Sequence, residues 1–183
     1  MKPNFVVETQ TITDSGSYTV SGRLRCIKDT YVDQYYPNSN YGSSITVDYD
    51  NSTDVGQGYK DAYLQFSPFP SGVTLTKAIL WFFHAGGLPN AYAIRAITSP
   101  WNEYTVTWNT RPSYGSTTLY SGSFPSTVAW FSINIIDHFW DFNNYGLVFY
   151  SPDVPASYGC NYIYSREYAG YEPYIEIEYQ GTI

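Results

Sequence analysis

Charge is scarce in this sequence. Asp, Glu, Lys and Arg together make up 14% of the 183 residues, against 43% hydrophobic ones. Sulfur is scarcer: one Met and two Cys. Cys26 and Cys160 lie far apart and show none of the close spacings of a thiolate metal site. They leave open one disulfide or two buried thiols. No apolar run reaches the ~18 residues needed to cross a bilayer as a helix, so membrane insertion of that kind is not expected. The opening MKPNFVVETQTITDSG holds no apolar stretch of signal-peptide length. Basic residues are in deficit, 9 against 16 acidic, for a net charge of −7. Nucleic acids and anionic membranes require a basic face, so neither is an expected partner. An acidic polysaccharide would need a bridging Ca²⁺.

Catalytic signatures are missing as well. The sequence has no G-x-S-x-G, no H-E-x-x-H and no phosphate-cradling glycine loop. Only His84 and His138 could act as bases near neutral pH. His84 ends an apolar run, and His138 falls in a short helical segment. The acidic residues single out no pair for glycoside cleavage. The expectation is a protein that is not an enzyme.

What the sequence has is aromatic residues: 21 Tyr, 10 Phe and 5 Trp. Tyr, Thr, Val and Ile favour strands. Strand-like runs recur roughly every 10–15 residues between Gly, Pro, Asn and Ser clusters, the spacing of a sandwich or barrel. They cover 5–13, 17–20, 23–33, 44–49, 60–66, 75–84, 91–98, 103–109, 117–121, 127–135, 145–150, 161–166 and 173–179. Alternation places Ile175, Ile177 and Tyr179 inward and Tyr174, Glu176 and Glu178 outward. Phe131, Ile133 and Ile135 alternate likewise. The run 78–83 is apolar on both faces and predicts a strand covered on both sides. Residues 135–142 predict a short helical connector, with Ile136, Phe139 and Trp140 on one face.

Several segments, in order, resemble the DNRLRE domain family, also described as disaggregatase-related and similar to carbohydrate-binding modules. They are Asp29-Thr30-Tyr31-Val32, Pro37-Asn38 through Asn40-Tyr41-Gly42-Ser43-Ser44, Ala62-Tyr63-Leu64-Gln65-Phe66 and Ala78-Ile79-Leu80. Trp101-Asn102-Glu103 with Thr105-Val106-Thr107-Trp108-Asn109-Thr110-Arg111-Pro112 is the most specific. Asn144-Tyr145-Gly146-Leu147, Tyr164-Ser165-Arg166-Glu167 and Pro173 complete the set. The resemblance implies an all-β, jelly-roll-type antiparallel β-sandwich without catalytic activity. It covers 26–179, so residues 1–22 read as an N-terminal arm or hairpin and 23–183 as the sandwich domain.

Candidate site residues follow. In an extended strand Trp101 and Glu103 share a face, with Trp101 at an edge and Trp108 in the core. Trp101 then either stacks on a sugar ring, with Glu103 accepting hydroxyl protons, or belongs to a corner in which Glu103 takes backbone donors or an arginine. Arg111 closes that motif. Arg166 is expected either in an ion pair with Asp29 or Glu103 or in contact with a ligand. Asp48, Asp50 and Asp54 cluster like ligands of a structural Ca²⁺, without the glycine and terminal Glu of an EF-hand. Loop tyrosines, Tyr35, Tyr36, Tyr41, Tyr158, Tyr168 and Tyr171 among them, supply rigid area with a polar tip.

Together these features lead to the expectation of a structural or adhesion module displayed on a larger assembly, such as a virion decoration or fibre protein or a cell-surface layer. Its location would be extracellular or on a virion. The arm would anchor it to a protein partner or a second copy by strand addition, or add strands to its own sheet. The rival expectation is a carbohydrate-binding module that recognises a polysaccharide through Trp and Tyr stacking.

Overall fold

A computed structural model of the protein describes residues 5–12, 16–50, 58–69, 71–87, 90–124, 127–151 and 161–182. The strands are β1 (Phe5–Ile12), β2 (Ser17–Asp33), β3 (Thr46–Tyr49), β4 (Lys60–Phe66), β5 (Thr74–Gly86), β6 (Asn90–Ala96), β7 (Tyr120–Phe124), β8 (Ala129–Asn134), β9 (Leu147–Tyr150), β10 (Asn161–Tyr164) and β11 (Tyr174–Thr182). All pair antiparallel, as expected for the β-sandwich.

One layer runs β1–β2–β11–β5. β5 also carries β8 and, at its C-terminal end, β10 with β3 beyond it. The other layer runs β2–β4–β9–β6–β7. β2 belongs to both. Its residues 17–25 pair with β11, its residues 26–33 pair with β4, and the register slips between Cys26 and Lys28. Such a slip bends a strand and re-aims its side chains. β1 pairs with β2 in register from Phe5 opposite Leu24 to Ile12 opposite Tyr18. The N-terminal hairpin therefore adds to its own sheet, and β2 runs unbroken past residue 22.

The main core lies between the layers. Leu24, Leu80, Phe82, Ile175 and Ile177 come from one, and Leu64, Phe66, Ile94, Leu147 and Phe149 from the other, at the alternate positions that a strand turns inward. A second apolar cluster sits on the far side of the β4–β9 layer. There Val32, Tyr63 and Val148 are covered by Ile97, Trp101 and Val106. The cover is not the strand expected over 103–109. Asn102 Oδ1 accepts the Tyr104 N–H (2.9 Å), and the Asn102 carbonyl accepts the Val106 N–H (2.9 Å). A 3₁₀ turn follows at Trp108–Thr110, where Thr110 Oγ1 accepts the Thr107 N–H (3.0 Å). Local side-chain bonds to the backbone override the β propensity of this Thr/Val/Trp-rich stretch.

Two other expectations change. β5 buries Ala78, Leu80, Phe82 and His84, whereas Ile79, Trp81 and Phe83 stay partly exposed, so its apolar run is covered on one face only. The connector forms as a 3₁₀ turn (Ile136–His138) and a one-turn helix α1 (Phe139–Phe142). Phe142, not Trp140, joins Phe139 in the core, because the 3₁₀ turn at Ile136–His138 winds more tightly than an α-helix and turns Trp140 off the face of Ile136.

Gly146, just before β9, has φ +91°, and an added Cβ would lie 2.0 Å from the Leu64 carbonyl oxygen. No side-chain rearrangement can relieve that contact. Gly146→Ala is expected to cost about 2–4 kcal/mol in urea unfolding. Gly72→Ala, at φ +90° with nothing within 4 Å of the new atom, is expected to cost ~1 kcal/mol.

Candidate functional site

The bulge in β2 is where charged side chains meet. Glu103 is buried and accepts the Asp29 N–H on Oε1 (2.8 Å). The Arg166 guanidinium grips the same carboxylate through Nε (3.0 Å) and an Nη (2.6 Å). Asp29 Oδ2 accepts the Arg166 N–H (2.7 Å) and the Cys26 thiol (3.6 Å). Glu167 stands 3.3 Å from the Arg166 guanidinium. Asp29, Glu103 and Glu167 thus place oxygens within 4.8 Å of one another. A metal ion could in principle use such a trio, but Arg166 already supplies a cation there. Burial pushes the Asp29 carboxyl up to about 8, against the pull of the Arg166 N–H, and Glu167 and Glu103 add to the rise. Burial likewise drives the Cys26 thiol well up. The Glu103–Arg166 contact is the ion pair expected from the sequence.

Of the two readings left open for Trp101, the geometry fits the corner in which Glu103 takes a backbone donor and an arginine. Trp101 is 8% exposed, and its indole N–H donates to the Tyr145 carbonyl (2.9 Å). Lys28 lies over the ring at 5.5 Å and donates to the Trp101 carbonyl. The ring packs into the second cluster, and what remains of Trp101 at the surface borders a depression of about 310 Å³ with Lys28, Tyr104 and Arg166. The placement of the Trp pair is inverted, since Trp108 is the more exposed ring and carries Arg111 stacked on it at 4.0 Å. Tyr41 stacks on Tyr31 (4.1 Å, 16°), whereas Tyr35 and Tyr36 meet edge to face on the surface. Asp48 is answered by Lys60 (3.5 Å), which also lies 3.9 Å from Asp33. Asp50 is buried and its backbone pairs with that of Lys60. Asp54, Tyr158 and Cys160 lie outside the described residues, and Cys26 is a free thiol. His84 is fully buried, with Nδ1 2.9 Å from the Thr127 carbonyl.

A further organised surface feature consists mostly of residues that the sequence did not single out. The outer face of the β1–β2–β11–β5 layer carries a continuous aromatic patch. Trp130 of β8 meets Phe83 of β5 edge to face (5.5 Å, 87°) and lies near-parallel to Tyr171 (6.2 Å, 21°). Phe83 and Tyr164 stack (5.5 Å, 13°), as do Tyr164 and Tyr168 (4.1 Å, 7°). Toward β2, Tyr174 lies beside Trp130 (5.9 Å) and is parallel to Trp81 (6.3 Å, 17°), with Arg23 4.4 Å above its ring. The Trp81 indole donates to Glu176 (3.0 Å), which also pairs with Lys77. Trp130, Tyr168 and Tyr171 are the most exposed rings of the patch, at 36–37%. Beyond Tyr174 the surface opens into a groove of about 480 Å³ lined by Arg23, Arg25, Arg166 and Glu172. The signal was present in the apolar outer positions of β5, once their cross-strand partners Trp130 and Tyr174 are known.

The model of carbohydrate-binding module family 96 matches residues 21–179. The chain belongs to that family. No curated protein matches it. For a member of a carbohydrate-binding family, an aromatic sheet face is the feature to explain: pyranose rings offer flat C–H faces, and aromatic rings offer apolar area with a negative face.

Asp29 gives the junction a pH signature. A carboxyl whose pKa is higher folded than unfolded stabilises the fold at low pH, and this contribution is lost as pH rises from about 4 through about 8. Asp29→Asn, which mimics the protonated form, is expected to match the wild type near pH 4. At pH 9 it should be more stable by a few kcal/mol, on the order set by that shift. Urea melts of both proteins across pH 4–9 check this. The slope does not vanish in the variant, because burial also raises Asp61, to about 6.

Proposed function

We propose that this protein is a non-catalytic module that holds a polysaccharide chain against the aromatic face formed by Trp81, Phe83, Trp130, Tyr164, Tyr168, Tyr171 and Tyr174. Family membership supports carbohydrate binding, the rival expectation from the sequence, over the structural or adhesion module expected first. The observation that carries the location is the Trp130–Tyr171 pair. These two rings are partly exposed and within 21° of parallel, with centroids 6.2 Å apart. One sugar chain laid across the face can reach both rings. The surrounding rings fix their orientation, so little side-chain entropy is lost on binding.

Hydrogen-bonding groups border the track. Glu176 and Lys77 lie beside Trp81, and Arg23 lies over Tyr174. Burial pushes the Glu176 carboxyl up, but Lys77 and the Trp81 indole outweigh it and hold the group below its ordinary range, so it stays an acceptor at neutral pH. Arg25 and Arg166 add donors in the adjoining groove. Low charge elsewhere suits a ligand whose surface is hydroxyls and C–H bonds.

Native gels cast with hydroxyethylcellulose, xylan, galactomannan, laminarin, pectin or alginate test the reading. At least one polymer is expected to retard the protein. Trp130→Ala should weaken that interaction about 10- to 30-fold, the effect of removing one aromatic anchor, with an unchanged circular dichroism spectrum. Full retardation of Trp130→Ala in every polymer that retards the wild type would move the site off this face.

A further inference from the structure

A second constellation of exposed rings and planar polar groups lies on the opposite side of the sandwich, at the segment that covers the β4–β9 layer. Tyr35 and Tyr36 are 51% and 53% exposed and meet edge to face at 4.8 Å. Their loop is fixed at both ends. Asp33 Oδ1 accepts the Tyr35 N–H (2.8 Å), and the Pro37 carbonyl accepts the Asn109 N–H (3.2 Å). The Asn109 amide donates to Asn38 Oδ1 (2.9 Å). Two residues on, the Arg111 guanidinium sits over the Trp108 ring, 4.0 Å from its centroid, and donates to the Trp108 carbonyl (2.6 Å). An open depression of about 410 Å³ begins at Asn109 and Arg111 and ends at Tyr114.

None of these groups belongs to the aromatic face described above, and the two tyrosine rings contribute nothing to either apolar cluster. What they share is preorganisation. The amides and guanidinium have one edge used internally, which fixes the plane of the other toward solvent, where paired donors and acceptors suit vicinal hydroxyls. Two rigid tyrosines beside them supply apolar area at low entropic cost.

We propose that the Tyr35–Tyr36–Asn109–Arg111 surface is a second glycan-binding site, so that one copy of the protein bridges two polysaccharide chains. The proposal rests on the reading of the protein as a glycan-binding module. The two sites share no residue, so filling one leaves the contacting groups of the other free. A polymer that reaches both gains avidity.

The test is a sandwich assay with the polymer that retards the wild type in the gels, one sample immobilised and a second fluorescently labelled. It is run at a protein concentration where light scattering finds monomers. The wild type is expected to capture labelled polymer on the immobilised layer. The double substitution Tyr35→Ala/Tyr36→Ala, and separately Arg111→Ser, should reduce that bridging at least about tenfold while protein still binds the first layer through the aromatic face. Trp130→Ala should lose bridging too, and the triple combination with Tyr35→Ala/Tyr36→Ala should lose all binding. Undiminished bridging by both Tyr35→Ala/Tyr36→Ala and Arg111→Ser overturns the second site and leaves the first standing. Loss of all binding in Trp130→Ala alone, or a wild type that binds without bridging, overturns bivalence. Wild-type binding by Trp130→Ala together with none by Tyr35→Ala/Tyr36→Ala refutes the aromatic-face reading instead. Bridging by a dimer, or capture of a protein in place of polymer at the Tyr35–Tyr36 surface, also counts against the proposal.

Discussion

The buried carboxylate of Glu103 is the constraint on which the rest of the structure depends. A charge in that position needs partners on every side. It obtains them from two segments far apart in sequence: the Asp29 N–H at the β2 bulge and the Arg166 guanidinium after β10. Its own backbone carbonyl accepts the Asn40 amide, which also reaches the Val106 carbonyl. Gly42 packs so closely there that a Cβ would fall 2.2 Å from the Glu103 oxygen. Four stretches of chain are thereby fixed at one corner. The bulge sends β2 from one layer to the other, and the 101–107 segment is held down over the second cluster. Replacing Glu103 with an apolar residue would strand Arg166 and the Asp29 N–H together, so the corner works as a unit.

From that corner the two outer surfaces of the sandwich diverge in character. The far side of the β4–β9 layer is sealed by the covering segment, so its apolar residues, Tyr63 and Val148, are core. Among the described residues, the outer side of the β1–β2–β11–β5 layer has no such cover. Its apolar residues shelter one another instead: Phe83 between Trp130 and Tyr164, and Tyr174 between Arg23 and Trp81. Mutual stacking removes part of each ring from water and leaves the patch exposed as a whole. Large exposed aromatic patches on a folded domain mark interaction surfaces.

Much of the fold was legible because strands advertise themselves at every second residue. Ile175, Ile177, Phe131 and Ile133 sit where alternation puts them. The Glu103–Arg166 pair was legible too, since a charge inside an apolar pattern needs a counter-charge. What failed was the orientation of Trp101 and Trp108. Period-2 reasoning assumes extended backbone, and Asn102 and Thr107 break it with their own side-chain bonds. The aromatic face was hidden for a different reason. Trp81, Phe83, Trp130, Tyr164 and Tyr174 lie on four strands, and only their pairing makes them neighbours. A strand apolar on both sides reads as doubly buried, whereas the outer positions of β5 stay partly exposed.

The scarcity of charge and the abundance of tyrosine then have one physical reading. A surface that meets a polysaccharide must offer apolar area to C–H faces and hydrogen-bonding groups to hydroxyls, and a phenol provides both in a single stiff side chain. Charged side chains would add affinity only by shedding tightly held water. The few charges near the candidate surfaces are tied up accordingly: Arg111 on Trp108, Arg23 on Tyr174 and Glu8, and Glu176 under Trp81 and Lys77. Each lies against an aromatic ring, and Arg23 and Arg111 keep part of their side chains in solvent. The buried corner at Glu103 does for the backbone what these pairs do for the rings. Both convert flexible groups into fixed ones before a ligand arrives, and that preorganisation lets a surface of weak contacts bind at all.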